Sequence, residues 1–454
     1  MLAAVQKRLI ESLVYPLMER FRGNRVRQYF AALKKSEAYS PDELRALQAE
    51  RLRDLLLDCV RHVPAYRACG LTEAAIAADP FAALETLPVL EKSELQAHPE
   101  RYLNEACDPA SRIANVTGGS SGQPLHFFMD RPQVEQYEAA RWRGLSWHGI
   151  TFGSRCAMLW GNPIELQKNA QLRMRLRERL LKNRVILSAY QLNAKSAARY
   201  VRFLNRYRPE YLYGYAGALA AFAALIAENG LRLRLHLKAV VSTSETMTPA
   251  QQSQIEAVFH APVVYEYGAR DAGILAFSCP CGTLHLTQEN AVFEILDPLT
   301  HKPVQPGERG LLAVTDLCGR TMPRLRYLLG DTAGFSDVRC ACGRTLPALT
   351  QPDGREEALF LLPDGTLVHG NFVCQLARQY TSVRQYQLLQ TDRHNAVLQL
   401  VQARPDACEL TALYSAVASA LPGIHIRVKL VRRIEPLPSG KTPYALRQFP
   451  LPRK

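Results

Sequence analysis

The chain has 454 residues, of which 47% are hydrophobic and 22% are charged, and this composition is ordinary for a soluble globular protein. Its length exceeds what one compact core usually organises, so two or three domains are expected. No apolar run approaches the roughly 20 residues that cross a bilayer. Lys7, Arg8 and Glu11 interrupt the apolar residues near the N-terminus, which argues against a signal peptide and indicates a cytoplasmic protein.

The formal net charge is +14, from 56 basic and 42 acidic residues. This balance favours acidic partners, namely nucleotides, coenzyme A, acidic carrier proteins, nucleic acid or an anionic membrane. The densest basic stretch is residues 173–184. Such a run is usually a solvated helix face, and a docking patch for phosphate or a carrier protein is the alternative.

Residues 1–110 are predicted to form a helical N-terminal region. Ser40, Pro41 and Glu43 form a capping box with proline at the first helical position. The leucines that follow recur at helical spacing, which predicts a buried stripe. The helix should end near His62, because Pro64 cannot continue it.

Residues 111–353 alternate short apolar strands with amphipathic helices, which is typical of an α/β domain with a largely parallel sheet. The predicted strands are 156–160, 185–187, 239–241, 263–265, 292–295 and 311–315. The predicted helices are 196–207, 216–226 and 249–259. Turn residues at 351–354 mark a break in this pattern.

Residues 356–454 are predicted to form a smaller α+β domain. Its predicted elements are a hairpin at 388–401, a helix at 410–421 and a strand at 424–431. The chain is therefore expected to consist of a large and a small domain joined near residue 354.

Four motifs carry polar residues that suit nucleotide chemistry. The first is a loop rich in Gly, Ser and Thr at residues 117–122. Its glycines let the backbone approach phosphate oxygens, and its hydroxyl and N–H groups can donate to them. The loop lacks the lysine of a P-loop. A flexible turn is an equally good interpretation of this loop alone.

The other three motifs are shorter. Tyr267, Gly268 and Asp271 follow a predicted strand, where α/β sheets bind ligands. Asp331 lies close to basic and aromatic residues, among them Arg326, and a lysine is presented by a turn at 436–441 near the C-terminus. Each of these motifs alone is more often structural than catalytic.

Together and in this order, the four motifs resemble the adenylate-forming superfamily of acyl- and aryl-coenzyme A ligases. The likeness is greatest to the phenylacetate–coenzyme A ligase branch, with its relatives from capsular polysaccharide biosynthesis. Further stretches that carry the resemblance are 62–67, 87–92, 209–215, 242–245 and 354–355. The resemblance implies a large α/β adenylation domain with a helical N-terminal extension and a small, mobile α+β lid domain.

The resemblance also implies a nucleotide-binding role for each matching residue. The residues that would cradle the ATP phosphates are Thr117, Gly118, Gly119, Ser120, Ser121 and Gly122. Tyr267 and Gly268 would line the adenine and acyl pocket. Asp331 would bind the ribose hydroxyls, and Arg326 is placed with these ATP-binding residues. Gln123 stands where many members of the superfamily carry a lysine.

The catalytic residues implied by the resemblance are Asp271 and Lys441. Asp271 would help to hold Mg²⁺, at a position where the family usually has a glutamate, and Lys441 would contact the carboxylate and the α-phosphate. A metal ion and a lysine are needed because the attack of a carboxylate on ATP brings anions together. Arg355 would lie at the hinge before the lid domain.

The acid would bind among Tyr213, Tyr215 and Glu245. Tyrosines near a pocket hint at an aromatic or flat acid, but aromatic residues are equally ordinary in a protein core. The identity of the acid is therefore left open by the sequence.

Two C-x-C-G elements predict a structural zinc site. The four thiols are those of Cys279, Cys281, Cys340 and Cys342, and four thiolates form a closed tetrahedral site. His285 could replace one of the thiolates. Reduced cysteines without a metal are the alternative interpretation.

The sequence thus predicts an AMP-forming acid–thiol ligase that uses ATP and Mg²⁺. Its partners would be a small carboxylic acid and either coenzyme A or the phosphopantetheine of an acidic acyl carrier protein. One alternative is adenylation followed by amide or ester formation in polysaccharide or secondary-metabolite assembly. A zinc-ribbon nucleic-acid-binding protein is disfavoured, because no basic run is interleaved with aromatic residues. The oligomeric state stays open, a dimer included.

Overall fold

The computed structural model describes residues 2–117, 125–160, 172–189, 192–370, 372–377, 379–435 and 443–452. The N-terminal region is helical, as predicted. Its helices are α1 (Leu2–Leu9), α2 (Tyr15–Arg22), α3 (Val26–Ser36), α4 (Pro41–His62), α5 (Pro64–Arg67), α6 (Glu73–Ala78), α7 (Pro80–Glu85) and α8 (Lys92–Ala97). A π-helical turn, Ile10–Val14, joins α1 to α2.

The predicted capping box begins α4. The Ser40 hydroxyl accepts a hydrogen bond from the Glu43 N–H at 3.2 Å, and the Glu43 carboxylate accepts one from the Ser40 N–H at 2.7 Å. The helix ends at His62, as expected from Pro64. Its buried stripe packs into the core of the large region through Leu44, Leu52, Leu55, Leu56 and Cys59.

The large region alternates strands and helices, as predicted. Its strands are β1 (Ile113–Val116), β2 (His126–Met129), β3 (Cys156–Trp160), β4 (Arg184–Ser188), β5 (Tyr211–Tyr215), β6 (Ala239–Thr243), β7 (Val263–Ala269), β8 (Gly273–Ser278), β9 (Leu284–Leu286), β10 (Ala291–Leu296), β11 (Gly310–Asp316), β12 (Tyr327–Ala333), β13 (Phe335–Ser336), β14 (Ala348–Leu349) and β15 (Gly354–Arg355). Its helices are α9 (Arg131–Ser146), α10 (Leu172–Leu181), α11 (Ala194–Tyr207), α12 (Ala216–Glu228) and α13 (Pro249–Phe259).

A nine-stranded sheet forms the centre of this region, in the order β13-β14-β9-β8-β7-β6-β5-β3-β4. Strands β4, β3, β5, β6 and β7 are parallel, whereas β8, β9, β14 and β13 continue the sheet in antiparallel fashion. The prediction of a largely parallel sheet is therefore only half right. A tight turn joins β7 to β8, and such a turn can connect only antiparallel strands.

Helices cover both faces of the parallel strands. One face packs against α9, and the other packs against α11, α12 and α13. A second, antiparallel sheet has the order β10-β11-β12-β15, and its core is shared with α4 and the short helices that follow it.

The C-terminal region has its own core, which begins at Ala358 and includes Ala445. Its elements are β16 (Leu359–Leu361), β17 (Leu367–His369), α14 (Phe372–Ala377), β18 (Val383–Gln390), β19 (Asn395–Gln402), α15 (Ala407–Ala420), β20 (His425–Leu430) and β21 (Ala445–Arg447). The four-stranded sheet has the order β20-β19-β18-β21. A large α/β region followed by a small α/β sheet is thus confirmed. Among the described residues, no helix combines the length and the apolar character needed to span a bilayer.

Candidate active site and cysteine cluster

The carboxyl ends of β5, β6 and β7 meet at one edge of the parallel sheet, where α/β proteins bind ligands. Tyr267 and Gly268 lie near the end of β7, where the pairing with β8 shifts register. A Cβ atom on Gly268 would lie 2.5 Å from the carbonyl oxygen of Gly273. Glycine is therefore required for the two backbones to approach so closely at this edge.

A carboxylate on β12 is the centre of a hydrogen-bonded cluster at this edge. Asp331 Oδ2 accepts a hydrogen bond from the Tyr267 hydroxyl at 2.8 Å, and Oδ1 accepts one from Arg355 Nη1 at 3.2 Å. Arg355 also donates to the Leu329 carbonyl at 2.8 Å and lies opposite Asp331 in the pairing of β12 with β15. Three segments that were predicted separately as site or hinge elements therefore converge on one carboxylate.

Burial and charge fix the protonation states in this cluster. Burial raises the pKa of Tyr267 well above its usual value, and the Asp331 carboxylate raises it further. The phenol therefore stays protonated and donates a hydrogen bond. Burial disfavours the charged form of Arg355, but Asp331 and Glu357 outweigh it and raise the pKa of this guanidinium. The cluster thus holds a charged arginine beside a carboxylate.

A second carboxylate, Asp271, lies in the turn between β7 and β8. It is buried, with 8% of its surface exposed, and its Oδ2 accepts a hydrogen bond from the Tyr327 hydroxyl at 2.8 Å. Burial raises the pKa of Tyr327, and the negative charge of Asp271 raises it further, so this phenol also stays protonated. Because Tyr327 and Asp331 both belong to β12, one strand positions both carboxylates.

Lys92 lies near Asp271, although no role was predicted for it from the sequence. Its ammonium interacts electrostatically with Asp271 and Glu357, and burial lowers the pKa of Lys92 while Asp271 partly offsets this effect. Leu90 fixes its position, because the Leu90 N–H donates to the Arg326 carbonyl at 3.0 Å and the Leu90 carbonyl accepts from the Leu328 N–H at 2.9 Å. The segment 87–92 is one of the stretches that resemble the adenylate-forming superfamily, and this resemblance is the sequence signal that could have identified Lys92.

A buried polar network lies on the side of the sheet that packs against α9. Its central residue is Glu266, which precedes Tyr267 on β7. Glu266 is 4% exposed and binds Arg141 through two hydrogen bonds of 2.9 and 3.3 Å. The Tyr213 hydroxyl donates to Glu266 Oε1 at 2.5 Å, and the Thr243 hydroxyl donates to the same atom at 3.3 Å. Sequence reasoning missed Arg141 and Glu266, because an arginine in a helix and a glutamate in a strand give no local signal of their pairing.

A cavity of about 140 Å³ borders this network. Arg141 and Tyr213 line it, together with residues of α2 and β3 and the segment 182–184. The Arg141 side chain keeps 40% of its surface accessible, because it faces this cavity. The network therefore joins β7, the strand that carries Tyr267, to a cavity lined by polar and apolar residues.

The predicted acid-binding residues lie at the ends of β5 and β6. The Tyr215 ring stacks on Trp160 with centroids 4.3 Å apart, and Trp160 also lies 5.9 Å from the Tyr213 ring. Glu245 Oε2 accepts a hydrogen bond from the Gly217 N–H at 2.8 Å. Tyr213 and Tyr215 thus lie on β5 and Glu245 follows β6, in the same parallel sheet as Tyr267. Their contact with an acid stays a prediction.

The predicted phosphate loop begins at Thr117. Its hydroxyl oxygen accepts a hydrogen bond from the Leu125 N–H at 3.0 Å, and its own N–H donates to the Leu125 carbonyl at 2.9 Å. Thr117 and Leu125 therefore continue the antiparallel pairing of β1 with β2 by one residue pair. The predicted site residues that lie outside the described residues are Gly118, Gly119, Ser120, Ser121, Gly122 and Lys441.

Arg326, which the resemblance places with the ATP-binding residues, pairs with a carboxylate outside the Asp331 cluster. Its Nε and Nη2 atoms bind the Glu294 carboxylate, with a shortest distance of 2.8 Å. Its Nη1 donates to the carbonyls of Glu85 and Leu87 at 2.9 and 2.6 Å. The guanidinium is buried, and these contacts join the start of β12 to the N-terminal helices. A contact of Arg326 with ATP stays a prediction.

A separate cluster of sulfur and nitrogen atoms lies where β8, β9 and the segment between β13 and β14 meet. The side-chain atoms of Cys279, His285, Cys340 and Cys342 lie within 4.8 Å of one another. The Cys279 and Cys340 sulfurs are 3.5 Å apart, and His285 Nε2 is 3.2 Å from the Cys342 sulfur. Cys281 is exposed at the tip of its turn. The fourth member of the cluster is therefore His285, the predicted alternative, and not Cys281.

The surroundings of this cluster suit metal binding. His285 Nδ1 donates a hydrogen bond to the Leu346 carbonyl at 2.9 Å, which leaves Nε2 as the bare nitrogen facing the sulfurs. Partial burial disfavours the Cys340 thiolate, but hydrogen bonds from Thr283 and from the Cys342 N–H outweigh it and lower the pKa of Cys340 to about 7. Burial raises the pKa of Cys279 to about 12, so this thiol would lose its proton only on metal binding. The group can therefore offer three sulfurs and one imidazole nitrogen to a metal ion.

Two characterised proteins are similar to this chain in sequence. Protein CapK of Staphylococcus aureus is 24% identical over 250 residues, which cover 55% of this chain and 53% of that protein. Phenylacetate-coenzyme A ligase of Thermus thermophilus is 25% identical over 342 residues, which cover 72% of this chain and 73% of that enzyme. The chain thus matches about half the length of CapK and a larger share of the ligase. No family model matches the chain.

Among solved structures, the chain is similar to 2-hydroxyisobutyryl-CoA ligase in the postadenylation state, in complex with R3-HIB-AMP. The TM-score is 0.69 at 20% sequence identity, and the match covers 91% of this chain and 92% of the ligase. At this level of identity the likeness concerns the fold. The large mixed-sheet region and the small C-terminal sheet are thus arranged as in an acyl-CoA ligase.

Proposed function

We propose that this chain, a distant member of the adenylate-forming superfamily, is an AMP-forming ligase that activates a small carboxylic acid and passes the acyl group to a thiol. In the first step a carboxylate oxygen attacks the α-phosphorus of ATP, and pyrophosphate leaves. In the second step a thiolate attacks the acyl carbon, and AMP leaves. The thiol would be that of coenzyme A or of a carrier-protein phosphopantetheine.

The observation that carries this proposal is the convergence on Asp331. Tyr267 is 64 residues and Arg355 is 24 residues away from Asp331 in the chain, yet both donate hydrogen bonds to its carboxylate. A carboxylate held in this way can accept hydrogen bonds from the two hydroxyls of a ribose. Tyr267 and Gly268 would then lie beside the adenosine, at the edge where the acid also enters.

The residues present also fit a magnesium ion. Asp271 is a buried carboxylate that, like Asp331, interacts electrostatically with Tyr267. Carboxylate oxygen is a ligand that Mg²⁺ prefers. A bound Mg²⁺ would neutralise phosphate charge during the displacement. In this chain Tyr327 would orient Asp271, and Lys92 would add positive charge where the anions meet. Lys441 would contact the carboxylate and the α-phosphate.

The cysteine cluster fits zinc in a structural role. In a tetrahedral site with Zn–S bonds of about 2.3 Å, the ligand atoms lie roughly 3.3–3.8 Å apart, close to the 3.5 and 3.2 Å found for two pairs of the cluster. Three cysteines and one histidine would leave no open position for a substrate. Zinc would tie the β8–β9 hairpin to the segment before β14, and so stabilise the antiparallel edge of the large sheet.

The acid would occupy the edge formed by Tyr213, Tyr215 and Glu245. The aromatic faces of Trp160 and Tyr215 favour a flat or aromatic acid. A polar acid would instead be recognised by the Arg141–Glu266 pair behind them. An amine or a hydroxyl as the final acceptor is the alternative to a thiol, since the adenylation step is the same for both.

Acid-dependent exchange of labelled pyrophosphate into ATP tests the first step across a panel of aromatic, aliphatic and hydroxy acids. The active acids are then incubated with coenzyme A or a phosphopantetheinylated carrier protein, and thioester formation is followed by mass spectrometry. Exchange without any thioester would favour an amine or hydroxyl acceptor. Absence of exchange with every acid, in protein that remains folded, would refute the proposal.

A further inference from the structure

The outer face of the N-terminal helix pair carries a row of exposed apolar side chains, called here the N-terminal stripe. Its members are Val5, Leu9, Leu13, Leu17 and Phe21, whose exposed fractions range from 41% to 87%. Single exposed leucines are common on protein surfaces. A continuous row on one helix face is uncommon and indicates a binding surface.

The π-helical turn keeps this row on one side of the helix. In an α-helix with 3.6 residues per turn, a strict spacing of four residues drifts by about 40° at each step. The π-turn Ile10–Val14 rotates less per residue, because its hydrogen bonds span five residues, and it counteracts this drift. The same turn brings Ile10 and Tyr15, five residues apart, onto the buried face. The π-helical turn thus aligns the exposed face and the buried face of the helix pair.

The opposite face of the helix pair is firmly attached to the large region. Lys7 Nζ forms an ion pair of 2.8 Å with Glu210, and the Tyr15 ring lies 4.6 Å from the Phe152 ring. At Gly153 a Cβ atom would lie 2.4 Å from the Lys7 carbonyl oxygen, so the helix backbone rests directly on the chain there. The exposure of the N-terminal stripe therefore belongs to a docked helix and not to a loose end.

The charges that accompany the N-terminal stripe are basic. Arg8, Arg20 and Arg22 are exposed, and the last two flank Phe21. The acidic residues of the helix pair point elsewhere, since Glu11 bonds Thr151 and Glu19 bonds Arg27. A second copy of the chain would bring arginines against arginines, whereas anionic lipid headgroups would complement them.

Helix α10 also combines exposed apolar and basic side chains, as the N-terminal stripe does. On α10, Leu176 and Leu180 are four residues apart and exposed at 48% and 58%. Arg177 and Arg179 alternate with them. Residues just after α10 line the same cavity as α2. Exposed apolar and basic side chains thus recur on a second helix, which ends next to the residues that line this cavity.

We propose that the N-terminal stripe and its arginines bind the surface of a membrane that contains anionic lipids. The helix pair would lie in the plane of the interface, with its apolar side chains among the acyl chains and its arginines at the phosphates. The inference concerns a surface and does not depend on the proposed ligase activity.

The test uses the full chain and vesicles of phosphatidylcholine with or without phosphatidylglycerol, in a sedimentation assay. The wild-type protein should sediment with the anionic vesicles only. The triple variant Leu13→Ser, Leu17→Ser, Phe21→Ser should bind at least tenfold more weakly. The matched control removes three similarly exposed apolar side chains from the C-terminal region, through Tyr414→Ser, Val428→Ser and Leu430→Ser, and should bind like the wild type.

A second variant separates the contribution of charge. Arg8→Gln, Arg20→Gln and Arg22→Gln together should weaken binding to anionic vesicles and remove most of its salt dependence. Absence of vesicle binding by the wild type, or an equal loss in the stripe and control variants, would overturn the proposal. It would also fall if light scattering showed a dimer that the stripe variant converts to a monomer, without any binding to vesicles. Pyrophosphate exchange, measured without lipid, reports separately on the ligase.

Discussion

Tyr327 holds Asp271 through a hydrogen bond of 2.8 Å from its hydroxyl to Oδ2, although the two residues are 56 positions apart. Tyr327 begins β12, and Asp331 lies four residues further along the same strand. One strand therefore supports the carboxylate proposed for Mg²⁺ and carries the carboxylate proposed for the ribose. Changes on β12 should consequently affect metal and nucleotide binding separately.

Tyr327→Phe removes this hydrogen bond and leaves the ring in place. A hydrogen bond to a charged group contributes about 1.5–3 kcal/mol, which corresponds to a factor of about ten to a hundred. The variant should therefore need a correspondingly higher Mg²⁺ concentration for half-maximal pyrophosphate exchange. Tyr265→Phe on β7, which loses a 2.7 Å hydrogen bond to Gln252 on α13, is the control. Equal Mg²⁺ requirements in both variants would contradict the assignment of Asp271.

Asp331→Asn should weaken ATP binding, because it removes the charge that pairs with Arg355 and one acceptor for the ribose. We expect KM for ATP to rise by about tenfold to a hundredfold, the range for losing hydrogen bonds to a charged group, with a smaller change in KM for the acid. The control is Glu73→Gln, which breaks an exposed ion pair with Arg61, and such pairs contribute little. A larger effect on the acid than on ATP would argue that Asp331 belongs to the acyl pocket.

The cysteine cluster should hold about one zinc ion per chain, measurable by elemental analysis of the purified protein. His285→Ala and Cys342→Ser should lose the metal and lower Tm, because removal of a structural ion destabilises the folded state. Cys281→Ser provides a close control, since this thiol is two residues from Cys279 but exposed. Retention of zinc by His285→Ala together with its loss in Cys281→Ser would restore the four-cysteine site.

The sequence predicted those parts of the fold that depend on local signals. The capping box at Ser40 and Glu43 begins α4 as predicted, because its donors and acceptors lie within one turn of the chain, and α13 spans the predicted residues 249–259. The antiparallel strands β13 and β14 were not predicted. They are two residues long, and they form because of partners far away in the sequence.

The same distinction applies to the site. Asp331 and Tyr267 could be selected because each lies in a recognisable motif, whereas the pairing of Glu266 with Arg141 spans 125 residues and leaves no local pattern. Arg326 shows a different limit of a motif. It lies in the same motif as Asp331, but its backbone has a φ of +49° and its side chain points toward Glu294 instead of the nucleotide cluster. A motif places a residue in the chain without fixing the direction of its side chain.

Glu210 should make the stability of the protein depend on pH in the acid range. It is half-buried, which opposes its ionisation, but hydrogen bonds from Lys238 and Lys7 outweigh burial and lower its pKa below the ordinary 4.5. A carboxylate with a lowered pKa in the folded state stabilises the protein above its unfolded pKa, and this contribution is lost as the pH falls through the folded pKa. Tm of Glu210→Gln should therefore fall less steeply than that of the wild type below about pH 4.5. In Glu228→Gln, at the exposed end of α12, the wild-type slope should be retained.

Lys441→Ala should abolish adenylation while the fold stays intact. The proposed lysine offsets the negative charge that develops when a carboxylate attacks the α-phosphate, and the loss of one such group typically costs about 10²–10³ in kcat. Pyrophosphate exchange should fall by this factor, whereas thioester formation from a chemically prepared acyl-adenylate should change much less. Lys429→Ala, on the exposed strand β20, removes a lysine from the same domain and should leave both reactions unchanged. If exchange in Lys441→Ala equalled that of the wild type, another cation would have to act in the adenylation step, and Lys92 beside Asp271 would be the first to test.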